Sequence, residues 1–595
     1  MQIWLNYVDQ ILIYAAFALS LNLLLGYTGQ VSVAHAAFGA IGGYTMGYLV
    51  MTHGWSFLPT AILGMLFAFL AGTLVSLPAQ KLSGEYLILL TLAISSVIIG
   101  VFTTFPQLGG TYGLISIPQP EFFGWTMRRP SDWVIPTLVL MLGTYAICWR
   151  LGESAFGRVL KGIREDGEAT QALGKNVFAY KVGVFGITAG LAGLAGAFYS
   201  GWLGLATPTV FGFSFALTLF AIVIFGGMAN LTGSILGAAA VTLLEPVLRR
   251  TIHTDPAKAS LYQLVIYGVA LVVLMMVRPQ GVLPEGFSIW RRLRYGRPPT
   301  SRLEMDEMWE PHPGARVHQP GAMEIDEEER VRQVGREDVW QHAPVVLEAR
   351  GITKSFGGIV AAEDLDFELR KGTITALVGP NGAGKTTAFN LLTGFIRPDR
   401  GSVKLNGTEL MGLSPDKVAR LGLVRSFQNV RLFNRISCVQ NVMLGVQNQP
   451  GENVIKLTLG GRSAGKGERL TREKAMDWLG FVGMKDFAEV PAGALSYGQT
   501  KLVSLARVLA TEADVLLLDE PASGIDTKWV DTMLDLVEAV KEQGRTVCIV
   551  EHNLHVVSRL ADHTYFMELG RITAQGTVAE LTSSAELAEA YFGTA

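Results

Sequence analysis

The chain has 595 residues, enough for at least two domains. Its formal net charge of −2 excludes the basic surplus expected of a nucleic-acid binder. Apolar residues make up 49% of it, unevenly placed: residues 1–277 hold few charges, whereas 285–595 have an ordinary soluble composition, which predicts a membrane part followed by a soluble part.

A membrane-spanning helix needs about 20 mainly apolar residues, and on that criterion about nine segments qualify. Their limits are 3–25, 31–51, 57–78, 85–105, 133–151, 178–204, 213–229, 231–250 and 260–277. The N-terminus lacks a basic region and a cleavage site, so 5–25 reads as a retained span and not a signal peptide. Segments 31–51 and 213–229 read either as full spans or as broken, re-entrant ones. Small residues such as Gly186, Gly190, Gly193 and Gly196 predict close helix packing in lipid. Basic residues set the orientation. Arg158, Lys161, Arg164 and Lys175 place the loop 152–176 in the cytosol, and Arg278, Arg291, Arg292 and Arg294 do the same for the following tail. Counting back puts Lys81 inside and the N-terminus outside, with Arg128 and Arg129 outside against the rule.

Among the polar residues within these segments, His35, Glu85 and Glu245 are the candidates for a functional role. Glu85 opens a predicted helix, where the helix dipole favours a carboxylate, so its role is structural. Glu245 precedes Pro246 near an interface and reads as a snorkelling side chain. His35 reads as a packing residue. No substrate residue is assigned.

The loop 153–174, ESAFGRVLKGIREDGEATQALG, reads as a short amphipathic helix with acidic and basic faces. An interfacial helix has this pattern, and so has a helix that docks in a protein groove. Together with 26–39 (GYTGQVSVAHAAFG) and Arg278-Pro-Gln-Gly281, it resembles branched-chain amino acid permeases of the LivM type, over most of residues 15–285. The resemblance implies that 153–174 is a cytosolic coupling loop that docks on an ATPase.

Residues 279–343 open basic, turn acidic at Glu324 to Glu329 and carry prolines at 298, 299, 311, 313 and 320. They read as a flexible charged linker. Its root-mean-square reach would be roughly 45 Å.

Within 344–595, Gly379 to Thr387 read GPNGAGKTT and fit G-x-x-x-x-G-K-[ST] at Gly379, Gly384, Lys385 and Thr386. The apolar, β-branched run before them predicts a strand and the run after them a helix, which is the context a phosphate cradle requires. Gly379, Pro380, Asn381, Gly382, Ala383, Gly384 and Thr387 would turn N–H groups toward phosphate oxygens. Lys385 would reach the β- and γ-phosphates, and the Thr386 hydroxyl would ligate Mg2+. The strand Val515–Leu518 ends in Asp519 and Glu520. One carboxylate beside magnesium and one on the attacking water divide the work of phosphoryl transfer. A further strand, Thr546–Val550, ends in Glu551 and His552, which places His552 near the γ-phosphate.

Leu495, Ser496, Tyr497, Gly498 and Gln499 resemble the signature loop of ABC-transporter ATPases, with Tyr497 where the commonest form has glycine. The motifs in order cover nearly all of 345–595. By this resemblance Gln428 is the Q-loop residue and a magnesium ligand, Asp526 belongs to the D-loop and His552 is the switch histidine. Phe356 would stack on adenine, or else is an edge aromatic of the fold.

Phe389-Asn-Leu-Leu-Thr-Gly394 and the long insert after Gln428 are closer to a LivG-type ATPase than to LivF. The whole chain resembles a fusion of a LivM-type permease (1–278) with a LivG-type ATP-binding subunit (344–595). The implied fold is an all-α membrane bundle of a type II importer followed by an α/β P-loop ATPase. The implied setting is a bacterial inner membrane, with the ATPase in the cytosol. The implied activity is ATP-driven uptake of branched-chain or other hydrophobic amino acids, with ATP and Mg2+ as cofactors. Urea, short amides and aromatic acids are alternative substrates. Implied partners are a LivH-like permease and a LivF-like ATPase, or a second copy, together with an external binding protein and lipid. A homodimeric exporter is the alternative from another class; its helices usually extend far into the cytosol, whereas the loops here are short.

Overall fold

The computed structural model describes residues 2–252 (apart from 81, 83, 123 and 124), scattered positions between 262 and 285, and 327–583 (apart from 455, 456 and 458–460). The candidate span 260–277 in large part, Lys81, most of the linker and the side chain of Glu245 lie outside the described residues. The chain forms two units, Met1–Arg164 with Val177–Gly296 and Glu165–Asn176 with Arg297–Ala595.

The first unit is built of α-helices: α1 (Gln2–Thr28), α2 (His35–His53), α3 (Phe57–Ala79), α4 (Gly84–Thr104), α5 (Pro130–Gly152), α6 (Ala155–Glu165, whose last residue enters the second unit), α8 (Val177–Leu203), α9 (Phe213–Gly226) and α10 (Leu231–Ile252). Among the described residues α1, α3, α4, α5 and α8 are long and apolar enough to cross a membrane. The 27-residue α1 is buried from Ile13 onward and packs against α5, α8, α9 and α10. Segment 31–51 contains one unbroken helix. Segment 213–229 holds only the 14 residues of α9.

Small residues hold α2, α3 and α8 together. A Cβ at Gly42 would lie 1.8 Å from the Gly193 carbonyl oxygen, and one at Gly196 2.0 Å from that of Gly39. Such contact between backbones is how helices associate where the solvent is as apolar as the side chains. A hydrogen-bonded pin joins the α9–α10 turn to α1. Asn22 Nδ2 donates to Gly227 O, Asn230 O and Ser234 Oγ, and Asn22 Oδ1 accepts from Ala229 N. A turn inside an apolar bundle must satisfy its backbone groups internally, and Asn22 does this. Gly281 has a related role: at φ +74 it lets the chain pass the backbone of Gly227, where a Cβ would meet Gly227 Cα at 2.5 Å. His35 Nε2 lies 2.8 Å from Ser20 Oγ within the bundle, in keeping with packing. Glu85 lies in the first turn of α4. Short strand pairs, Leu114–Ile115 with Leu205–Ala206 and Glu121–Phe122 with Trp125–Thr126, have no counterpart in the sequence reading.

The second unit contains a six-stranded sheet in the order β10-β11-β12-β7-β13-β14 and a four-stranded sheet in the order β6-β5-β8-β9, where β8 is Arg400–Leu405 and β9 is Thr408–Glu409. In the first, β7 (Ile374–Val378), β10 (Leu423–Arg425), β11 (Val515–Asp519), β12 (Thr546–Val550) and β13 (His563–Glu568) run parallel, and β14 (Arg571–Gly576) closes an edge antiparallel. The second sheet is antiparallel, built on the long strands β5 (Val345–Phe356) and β6 (Ile359–Arg370). Apolar runs in β11 and β12 are continuous because both faces are covered. Leu516, Leu518, Val547 and Ile549 pack with the helices Tyr497–Leu509 and Thr527–Glu542. Val515, Leu517, Cys548 and Val550 face Leu347, Phe367 and Phe389.

The end of the expected flexible linker is helical. Glu327–His342 forms a 16-residue helix that packs on the six-stranded sheet. Trp340 stacks on His563 at 3.7 Å between centroids and donates from Nε1 to Thr375 Oγ1. Glu337 meets His563 Nδ1 at 2.9 Å, and Gln333 donates to Ser558 Oγ. Linker composition gave no hint of this, because the docking rests on one tryptophan and its polar neighbours within a run of charges.

Candidate nucleotide site and coupling segment

The C-terminal ends of β7, β11 and β12 carry the candidate site residues. β7 runs into the glycine loop, and the helix Lys385–Leu392 follows it. Gly379 at φ +151 and Gly384 at φ +103 have no room for a side chain: a Cβ would meet Met567 O at 2.0 Å and Ala361 O at 2.5 Å. The first N–H groups of the helix have no intrahelical acceptor, which makes this end an anion site. Lys385 is buried and donates from Nζ to Gly379 O at 2.7 Å and Pro380 O at 2.9 Å. Burial lowers its pKa, while Glu520 and Asp519 oppose that shift. Pro380, Asn381, Gly382, Ala383, Thr386 and Thr387 complete the loop, with Asn381, Gly382 and Thr386 exposed.

Asp519 ends β11 with both carboxylate oxygens buried and without a hydrogen-bond partner. Burial pushes its carboxyl up to about 6, with Arg425 the main opposing influence. Arg425 Nη2 lies 3.7 Å from Asp519 Oδ2, both side chains almost fully buried. The orphaned carboxylate oxygens of Asp519, and the hydroxyl of Thr386 at the start of the helix Lys385–Leu392, are oxygen donors of the kind that suits magnesium. Glu520 follows at φ +47, a strained position for a residue other than glycine. Its N–H donates to Val550 O, and its Oε1 lies 3.8 Å from His552 Nδ1. Glu551 is buried, accepts from Ala522 N at 3.1 Å and has its pKa raised by burial.

Lys501 links three expected motifs. Its Nζ donates to Glu520 O at 2.7 Å and Gln428 O at 3.5 Å, and it lies 5.7 Å from the Tyr497 ring centre. Burial lowers its pKa. Leu495 leads into the signature loop, and Ser496 caps the helix Tyr497–Leu509 in a reciprocal box: Gln499 N donates to Ser496 Oγ and Ser496 N to Gln499 Oε1. Gly498 is pressed against Trp529, where a Cβ would come within 2.9 Å of the indole. Asp526 is the exposed N-cap position of the helix Thr527–Glu542. Phe356 is 44% exposed, with Lys354 Nζ 5.4 Å from its ring centre. An exposed ring at a strand end is available to an adenine.

Residues 165–176 belong to this same unit. The expected single amphipathic helix is two, α6 and α7 (Gly167–Ala172), because Asp166 breaks the run in extended geometry and caps α7 by accepting from Ala169 N. Glu168 Oε2 pairs with Arg431 Nη1 at 2.6 Å, and Asp166 lies 3.4 Å from the same group. Gln447 donates to Leu173 O, and Arg420 donates to Gly174 O. Lys175 is buried, donating to Val446 O at 2.8 Å and meeting Glu452 at 2.5 Å. Sequence reasoning missed Arg425, Arg431 and Lys501. One signal was present: Arg425 is a cation at the end of the apolar strand β10.

A nucleotide loop at the C-terminal ends of parallel strands, a capped signature loop and an apolar helical unit define a membrane transport ATPase. The family model "Branched-chain amino acid transport system / permease component" matches residues 3–275, and the model "ABC transporter" matches 362–523. The Pseudomonas aeruginosa high-affinity branched-chain amino acid transport ATP-binding protein BraF is 36% identical over 251 residues, 42% of this chain and 98% of that protein. The Escherichia coli protein LivG, of the same description, is 32% identical over the same lengths. A crystal structure of a nucleotide-free ATP-binding cassette from an ABC transporter is 30% identical, covering 42% of this chain and 100% of that one, with a TM-score of 0.37. The chain belongs to the ABC transporter family, as a fusion of a permease with an ATP-binding cassette that couples ATP hydrolysis to transport.

Proposed function

We infer that the chain drives uptake of branched-chain or other hydrophobic amino acids across the bacterial cytoplasmic membrane. One observation carries this reading: the permease match and the cassette's similarity to BraF and LivG point to the same transport system, on one chain. The exporter reading has no comparable support.

In the proposed cycle ATP lies on the loop Gly379–Thr387, its adenine against Phe356. Lys385 leaves its carbonyl partners for the β- and γ-phosphates. Thr386, Gln428 and Asp519 would hold Mg2+, which neutralises phosphate charge during transfer. Glu520 orients and polarises the attacking water, and His552 contacts the γ-phosphate. The carbonyl grip of Lys501 on Glu520 and Gln428 keeps those two residues in step. Ser496 and Gly498 would face a nucleotide held by another cassette, and Asp526 would line the same closure. That cassette belongs to a second copy or to a LivF-like subunit, alongside a LivH-like permease in the latter case. An external binding protein delivers the substrate. Residues 165–176 carry the permease's motion to the cassette.

The test is uptake of radiolabelled leucine by proteoliposomes holding the assembled transporter, with and without the binding protein. Uptake that needs ATP and the binding protein is expected; outward transport without the binding protein overturns the reading. Lys385→Ala should weaken ATP binding itself. Glu520→Gln should keep binding and abolish turnover, and unchanged phosphate release would remove Glu520 from its role.

A further inference from the structure

The nucleotide site and the coupling segment are joined by side chains that have no place in the cycle above. Glu168, on α7, pairs with Arg431 at 2.6 Å. The Arg431 guanidinium lies 4.4 Å from the centre of the Phe427 ring, and that of Arg425 lies 4.6 Å from the same ring. Arg425 in turn sits 3.7 Å from the orphaned carboxylate of Asp519. Arg425 is further held by the Asn390 side chain and the Ser426 carbonyl, with the Phe395 ring 5.7 Å away. Arg507 donates to Arg431 O at 2.7 Å and packs on Phe433, so the end of the signature helix braces the same residue.

We propose that Arg431, Phe427 and Arg425 form a stacked relay through which the coupling segment positions the carboxylate of Asp519. Phe427 is the pivot, because both cations rest on one ring and a cation–aromatic contact resists displacement of either partner. Displacing Glu168 shifts Arg431, the ring follows and Arg425 moves relative to Asp519. Arg425 and a divalent cation compete for the same carboxylate, so the setting of the relay determines how well Asp519 holds the metal. These are positioning residues. They act through Asp519. The second end of the segment, Lys175 with Glu452 and Val446, anchors it without entering the stack.

The inference rests on the reading of Asp519 as a metal carboxylate and of 165–176 as the coupling element. Its test needs neither transported substrate nor binding protein, so a failure of the transport reading leaves it standing. Full-length protein in lipid nanodiscs, with a non-hydrolysable ATP analogue, is titrated with Mn2+ and followed by electron paramagnetic resonance. Phe427→Leu and Glu168→Lys should each weaken Mn2+ binding about fivefold. The double variant should be no weaker than the worse single one, since both changes break one chain of contacts. Phe427→Tyr, which keeps the ring, and Glu452→Gln, which touches only the anchor, should bind as the parent does. Affinity for the analogue without metal should stay constant throughout, which reports an intact fold. Unchanged Mn2+ affinity in both single variants, or effects that multiply in the double one, would overturn the relay. Arg431→Gln repeats the test where Phe427→Leu lowers expression, and parental Mn2+ affinity in that variant overturns it equally.

Discussion

At the scale of single residues, the motifs are held in place by contacts that the motifs do not contain. Gly498 is read in sequence as a signature residue, yet within the chain it is also the point where Trp529 reaches the helix Tyr497–Leu509. A methyl group there would come within 2.9 Å of the indole, and an indole packed in a core has little freedom to retreat. Gly498→Ala should therefore destabilise the cassette by about 1–3 kcal/mol from overpacking. Calorimetry of the full chain without nucleotide isolates that cost from any effect on hydrolysis. A melting temperature equal to the parent's would leave only the signature role. The candidate nucleotide-site residues are legible in sequence because each sits in a short, spaced motif. Arg425, Phe427 and Asn22 are not, since each depends on a partner distant in the chain: Asp519 for Arg425, Glu168 by way of Arg431 for Phe427, and Ala229 to Ser234 for Asn22.

At the scale of elements, apolar length locates the helices and says little about how they end. Runs 57–78, 133–151 and 178–204 fall within two or three residues of α3, α5 and α8. The run 213–229 shows the limit. α9 stops at Gly226 because the next residues turn and give their backbone groups to Asn22, information that lies in α1 and not in the run. The helix Glu327–His342 is the larger departure, for its charges read as a solvated spacer. Trp340 explains its docking: it is 7% exposed, stacked on His563, bonded to Thr375 and covered by the Arg370 guanidinium at 4.4 Å. Thr375 lies in β7, the strand that leads into the nucleotide loop, so this helix braces a strand of the catalytic sheet from its N-terminal half. Trp340→Ala should cost the cassette about 3–5 kcal/mol. Limited proteolysis of the full chain should then cut within 327–343 at protease concentrations the parent resists. Equal cutting of parent and variant would show that the helix adds nothing to the cassette's stability.

At the scale of the molecule, one chain carries one permease, one nucleotide loop and one signature loop. Two copies related by a twofold axis would supply a complete set, because a symmetric pair presents each surface to its own complement. In such a pair each nucleotide would lie between Lys385 of one copy and Ser496 of the other. The arrangement has a consequence that a site within one chain does not. Lys385→Ala alone damages both sites of a homodimer, and so does Ser496→Arg. A mixed dimer with one copy of each collects both lesions in a single site and leaves the other intact. Differently tagged variants, co-expressed and purified through both tags, should therefore occlude about one nucleotide per dimer, where either homodimer occludes none. If the mixed dimer occludes none, each loop works with a signature from within its own chain. If the two tags never co-purify, the facing cassette comes from a different subunit, and the same pair of substitutions divided between this chain and that subunit repeats the measurement.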